Sequence, residues 1–344
     1  MTPLLESILC ERPDATIDVA VEHPFSEVLY DHPFVHRLLE FKSEKPGAED
    51  SLTHPPFSRN RKLLSRPGGL WRIRRTHYDI VWNLHGGTTS AWLTGLSGAL
   101  YRVGCGQFRN RWAYNLQVPD SAEILGRCNH HTVERGLAWF DWLRGVERSD
   151  FPDAPPLRVV VGESAVISAL QKLRSAGVVS GSPYVVIQPA AVFATKEWMA
   201  DRFAGCADFL FSMGFQVVLS GSPQDRPKLE QVKSHMQSPA ALCSNLSVKE
   251  MAAVLQGCCL FLGNDSGPAH LAAAFKKPTV VLFGSSNSAA WAPWGTNSVV
   301  VQNPYDCNPC PGYSCGKYPQ PECIRSITVD QVKAAVQQIL QQAH

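Results

Sequence analysis

Residues 260–284, LFLGNDSGPAHLAAAFKKPTVVLFG, constrain the fold more than any other stretch of the chain. Two apolar runs, LFLGN and PTVVLFG, flank a small-residue segment, PAHLAAAFKK, that reads as a short helix. Strand, helix and strand of these lengths make a βαβ unit, whose strands run parallel and whose sheet is covered by helices. Asp265 and Ser266 stand where the first strand ends and can cap the helix. Gly267 permits close backbone approach, and Pro268 falls in the first helical turn, where its missing N–H costs nothing. The exposed amides and positive dipole end of such a helix suit a phosphate or pyrophosphate. His270, one turn in, is placed to donate to a bound anion. A well-capped crossover helix without any ligand would use the same residues.

The alternation extends along the whole chain. In the first half TIDVAV, YDIVWNL and YRVGCG read as strands, FSEVLYDH as a short helix, and VHRLLEF as a strand or helical turn. TTSAWLTGLSGA and HHTVERGLAWFDWLRGV read as helices, the second with Val133, Leu137, Phe140 and Leu143 on one stripe; His130 and His131 at its start suit surface or capping roles. After the polar, Pro-rich ERSDFPDAPP the pattern resumes, with YVVIQPA, FQVVLSG, CLFLGN and PTVVLFG as strands between helical segments. The expected fold is α/β, two doubly wound Rossmann-like domains facing a central cleft. Residues 1–150 form the first domain, 151–157 the linker and 158–327 the second. The last helix, 328–344, is expected to pack back on the first domain.

The totals set limits. With 344 residues, 44% hydrophobic and 18% charged, the chain can bury two ordinary cores. A formal net charge of +2 carries no global footprint for nucleic acid. No apolar run approaches the roughly 20 residues of a membrane span, and Glu6 interrupts the apolar start. The eleven cysteines then read as reduced thiols, and the expected location is the cytoplasm.

A second charged element lies in QPAAVFATKEW, where a loop leaving a strand supplies Thr195 and Lys196. Lysine is a point charge suited to phosphate, and Trp198 reads as a packing anchor rather than a base-stacking platform. These residues bring a family into view. TKEW, GSPQD, SVKEMAAVL and GNDSGPAHLAAAFKKPTVVLFG, in that order, resemble the motifs of glycosyltransferase family 9, the lipopolysaccharide heptosyltransferases of GT-B fold. YDIVWNLHGGTTSAWLTGLSGALYRVGCG resembles that family's acceptor domain. The resemblance implies an ADP-heptose donor in the second domain and a lipopolysaccharide inner-core acceptor, with inverting transfer that needs no metal or other cofactor. Thr195 and Lys196 would face the donor phosphates; Asp265, Ser266, Gly267 and His270 would hold the pyrophosphate and sugar side. Ser222 and Met251 would lie near the nucleoside. Ala190 and Ala191 depart from a frequent glycine, and Met199 from a frequent proline.

The family begins with a strand and a Gly-Asp loop before a helix that TPLLESI resembles. The aspartate used there as general base is expected upstream of Met1. Either the natural protein is longer by roughly 15 to 20 residues, or the first domain stands without its central strand; no catalytic base is named within the chain. Two further readings therefore stay beside the transferase: a sugar-nucleotide-binding protein without catalysis, and a sugar-nucleotide epimerase of the same build.

Three weaker features complete the reading. SRNRKLLSRPGGLWRIRRTH carries seven Lys or Arg from Arg59 to Arg75 and no acid. It fits a solvated edge, or a surface in which Arg72, Arg74 and Arg75 meet an anionic lipid-linked acceptor. His85, after a strand end, is an acceptor-side candidate. Cys307, Cys310, Cys315 and Cys323 have a spacing open to structural thiols, a redox pair, zinc or an iron–sulfur cluster.

Overall fold

Apolar runs bounded by turns become buried parallel strands, and amphipathic stretches become the helices covering them. The computed structural model describes residues 1–23, 25–42, 67–310 and 314–342. The chain divides into two units, Met1–Pro155 and Pro156–His344.

In the first unit, α1 (Thr2–Glu11) buries Leu4 and Leu5. Strands β1 (Asp18–His23) and β2 (Arg37–Lys42) pair in parallel, with Asp18 opposite Arg37. Between them only Phe25–Leu29 coils, as a 3-10 turn. There follow α2 (Pro67–Thr76), β3 (Ile80–Trp82), α3 (Thr88–Gly95), β4 (Tyr101–Cys105), β5 (Leu116–Val118), α4 (Ser121–Leu125) and α5 (Thr132–Leu143). Strands β3, β4 and β5 form a second parallel sheet in that order. The described strands of this unit thus make two sheets rather than one continuous one. A side-chain bond ties them, from Tyr78 Oη to Asp18 Oδ2 at 2.6 Å. Asp18 also meets His36 at 3.0 Å and Arg37 at 3.4 Å. Separate cores lie under the two sheets, around Leu5, Val19 and Leu29, and around Val103, Val118 and Trp139. His131 caps α5, its Nδ1 accepting from the Val133 N–H at 3.1 Å.

The second unit runs α6 (Glu163–Ser175), β6 (Tyr184–Gln188), α7 (Ala200–Ser212), β7 (Gln216–Ser220), α8 (Arg226–His235), β8 (Ala241–Cys243), α9 (Val248–Gly257), β9 (Leu260–Asn264) and α10 (Gly267–Ala274). It ends with β10 (Thr279–Leu282), α11 (Ser288–Trp291), β11 (Ser298–Val301), α12 (Glu322–Arg325) and α13 (Val329–Gln341). The sheet is parallel throughout, in the order β11-β10-β9-β6-β7-β8. The winding reverses between β6 and β9, and open α/β sheets bind their ligands at that reversal, outside the strand C-terminal ends.

In the last helix, Val332, Ala335, Val336 and Ile339 of α13 join Phe203, Leu210, Val280 and Leu282 in the second unit's core. This apolar stripe packs against α7, β10 and β11. Among the described residues no helix is long and apolar enough to cross a membrane.

Candidate functional site

At the sheet reversal the ends of β6 and β9 are laced by Asn264, a fully buried amide. Its Nδ2 donates to the Pro189 carbonyl at 2.8 Å, and its Oδ1 accepts from the Trp198 N–H at 3.2 Å. That bond holds the loop carrying Lys196 over the sheet end. Trp198 anchors the loop from below, fully buried, its indole N–H donating to the Ile327 carbonyl at 3.0 Å. Lys196 Nζ lies 2.7 Å from Asp265 Oδ2, with the carboxylate buried and about a quarter of the lysine side chain (26%) exposed. The pair is therefore a cation open on one side and backed by its counter-charge.

Thr195 is buried, so its side chain fixes the loop. Its Oγ1 accepts from Ser285 Oγ at 3.1 Å, and its carbonyl accepts from the Ser285 N–H at 3.4 Å. A Cβ on Gly284 would collide with that same carbonyl oxygen. Asn264, Gly284 and Ser285 are site residues that the motif reading passed over. The glycine following PTVVLF was their one visible signal.

The start of α10 differs from the expected cap. Ser266 occupies the N-cap position with an extended backbone, φ −155° and ψ 168°, yet makes no side-chain capping bond. Its Oγ is buried and has no partner among the described residues. The Asp265 carboxylate is paired with Lys196 through Oδ2. The first-turn amides are thus left without a side-chain acceptor, the condition under which a helix N-terminus takes an anion. A Cβ on Gly267 would meet nothing within 4 Å, so the approach to these amides is open. Burial pushes the His270 pKa below its ordinary value; Asp265 opposes this and Lys196 adds to it. In its neutral form the imidazole has one nitrogen to donate and one to accept.

Ser222 and Met251 belong to the neighbouring strand end. Ser220, fully buried at the end of β7, places its Oγ 3.4 Å from Gln188 Oε1 and 3.2 Å from Met251 Sδ. Met251 is buried on α9, whereas Ser222 is exposed and spends its hydroxyl proton on Asp225 Oδ2 at 2.7 Å. Helix α9 is clamped to α6 through Glu250, which accepts from Lys172 at 2.7 Å, Ser168 at 2.5 Å and the Ser247 N–H at 2.6 Å. Burial pushes the Glu250 pKa up, but these bonds outweigh it and bring it down to about 2.

In the first unit the acceptor-side candidates separate. His85 follows the end of β3, where Asn83 Oδ1 accepts from the N–H groups of His85 and Gly86 at 3.0 and 2.9 Å. Arg72, Arg74 and Arg75 are exposed on α2, which leads into the other end of β3. Arg59, Arg61, Lys62 and Arg66 lie outside the described residues. Among the described residues no three His, Cys, Asp or Glu are grouped to hold a metal ion. Cys323 is buried, its thiol pKa pushed up by that burial, while the Cys310 N–H donates to the Ser285 carbonyl at 2.9 Å.

A doubly wound second unit with a lysine–carboxylate pair and an open helix N-terminus at its reversal, joined to another α/β unit, is the build of the GT-B fold class. Solved structures share the fold. A glycosyltransferase family 9 structure from Veillonella parvula superposes with a TM-score of 0.77 at 22% identity, covering 99% of this chain and 92% of that one. The Escherichia coli ADP-heptose lipopolysaccharide heptosyltransferase II gives 0.75 at 19% identity, covering 99% and 94%. The chain belongs to glycosyltransferase family 9 (heptosyltransferase), whose family model matches residues 70–319. It is similar to an E. coli lipopolysaccharide heptosyltransferase 3, 28% identical over 87% of this chain and 83% of that protein. It is also similar to lipopolysaccharide heptosyltransferase 1 of Pseudomonas aeruginosa, 26% identical over 93% and 84%. Membership sets the chain among transferases rather than passive binders or epimerases.

Proposed function

We propose that this chain transfers heptose from ADP-L-glycero-D-manno-heptose to the lipopolysaccharide inner core, with inversion, at the cytoplasmic face of the inner membrane. The observation that carries the donor side is the Lys196–Asp265 pair beside the uncapped start of α10. The diphosphate lies against Lys196 and the amides of Ser266 and Gly267. His270 and Ser266 Oγ donate to its oxygens, and Asp265 faces the sugar. The nucleoside extends toward Ser222 and Met251, and Thr195 holds the Lys196 loop in place. An acceptor hydroxyl oxygen bonds to the anomeric carbon and releases its proton to solvent water, while the bond from that carbon to the diphosphate oxygen breaks. Negative charge then grows on the leaving ADP, where the ammonium and helix amides stabilise it more than they stabilise the bound donor. The first unit supplies the acceptor side, with His85 at a strand C-terminal end as its candidate contact.

The test is to incubate the chain with ADP-heptose and a heptose-deficient inner-core oligosaccharide. The expected result is release of ADP matched by an acceptor heavier by one heptose. ADP-heptose binding without a heavier acceptor would favour a binding protein, and a free or epimerised sugar would favour epimerisation.

A further inference from the structure

The first unit carries a surface that donor chemistry leaves unused. Five large apolar side chains stand open on it: Trp71 is 61% exposed, Trp92 43%, Leu100 67%, Tyr101 49% and Trp112 53%. Side-chain contacts link them through α2, α3 and the start of β4. The Trp92 and Trp112 rings meet edge to face at 4.7 Å, and Trp112 lies over Gly95, where a Cβ would come within 2.8 Å of the ring. Arg74 reaches the Gly98 position at 3.7 Å, next to Leu100 and Tyr101. Arg102 bridges that segment to Trp112 by donating to the Ala99 and Ala113 carbonyls at 3.2 and 3.1 Å. The Arg75 guanidinium sits 4.8 Å from the Trp71 ring centre. The patch lies around the start of β4 and the end of α3, away from His85 at the far end of β3.

Its charge is one-sided. Between residues 67 and 115 there are six arginines and a single acid, Asp79. Arg72, Arg74, Arg75, Arg109 and Arg111 are exposed. Open tryptophans set among arginines match the headgroup layer of a bilayer, where amphipathic rings lodge and guanidinium groups meet phosphates. A second copy of the chain is a poor occupant, because an isologous contact would set arginines against arginines.

We infer that this patch, Trp71, Trp92, Leu100, Tyr101 and Trp112 with their arginines, is where the protein lies on an anionic lipid bilayer. The inference rests on the lipid-linked acceptor proposed above for its purpose, though not for its test. Leu100 and the tryptophans enter the interface while the arginines hold anionic headgroups, so the enzyme is concentrated where its acceptor is anchored.

The experiment is flotation of the full chain with vesicles of phosphatidylethanolamine, with and without about 30% phosphatidylglycerol as the anionic lipid. Wild type is expected to float with the anionic vesicles, and to be released by high salt. Leu100→Glu, which puts an acid into an open patch position, should reduce partitioning at least tenfold, and Trp92→Ser with Trp112→Ser should do the same. Ile167→Ser, an equally exposed apolar residue in the second unit, should not. Transfer to a delipidated, water-soluble acceptor should be the same in Leu100→Glu as in wild type. Absent flotation, or flotation indifferent to Leu100→Glu, overturns the inference even where heptose transfer is intact. Self-association lost in Leu100→Glu, without vesicle binding, overturns it in favour of a protein interface. Patch-dependent flotation without any heptose transfer sustains it while the transferase reading fails.

Discussion

At the scale of single residues, the donor site turns on one ammonium and the carboxylate behind it. Removing Lys196 deletes the cation and also uncovers Asp265 beside a bound diphosphate, so both changes work against the anion. Lys196→Ala should weaken ADP binding at least tenfold, about 1.4 kcal/mol, by titration calorimetry. Asp265→Asn leaves the lysine charged and free to turn to the phosphates, so its loss of ADP affinity should be smaller. The double variant should deviate from the sum of the singles, because the two groups touch. Unchanged affinity in Lys196→Ala would remove the lysine from the site. Gly284 acts at one remove. A methyl group there meets the Thr195 carbonyl, and the strand end has no slack to yield. Gly284→Ala should cost about 1–3 kcal/mol of stability and displace the Lys196 loop. The measurements are thermal unfolding and ADP titration, and a variant equal to wild type in both would show that the loop tolerates the shift.

At the scale of elements, legibility followed burial. Strands β6, β7, β9 and β10 are buried on both faces, so each is a continuous apolar run that the chain displays openly. The edge strands are harder to read, β8 having three residues and β11 being mostly half-buried; neither was anticipated, and nor was α6, whose surface is largely polar. The stripe on α13 announced a buried face but could not say against what, because periodicity carries no information on the partner. Trp198 and Gly267 were legible because size and absence of a side chain have consequences that travel with the residue. The free hydroxyl of Ser266 was not legible, since a serine before a helix reads as its cap and only the folded backbone shows that bond unmade. The α6–α9 clamp was equally hidden, because Lys172 and Glu250 are 78 residues apart. Its effect on stability can be measured. The Glu250 pKa falls from its ordinary 4.5 to about 2 on folding, so the clamp contributes fully above pH 4.5 and is lost as pH drops toward 2. Glu250→Gln should lower stability at pH 7 by about 1–3 kcal/mol, and the gap from wild type should close on acidification. A pH-independent gap would show that shape rather than charge holds the two helices.

At the scale of the whole molecule, the two units differ in how they are held. The second buries Trp198, Phe203, Leu210, Leu219, Leu262 and Leu282 in one core around a six-stranded sheet. The first divides its apolar groups among smaller clusters under sheets of two and three strands. Burial in one large core stabilises more per residue than the same area divided, so the first unit should unfold at the lower temperature. Every residue assigned to the donor lies in Pro156–His344. A ligand stabilises only the state that binds it, by about 2.7 kcal/mol at one hundred times its dissociation constant. Calorimetry of the full chain should therefore give two transitions, with ADP raising the upper one by roughly 5–10 °C and leaving the lower one in place. Lys196→Ala should abolish that shift without moving either transition in the absence of ADP by more than a few degrees, since Lys196 is partly exposed and packs no core. A single transition moved as a whole by ADP would mean that the units unfold together. Movement of the lower transition alone would place the nucleotide in the first unit and overturn the donor assignment.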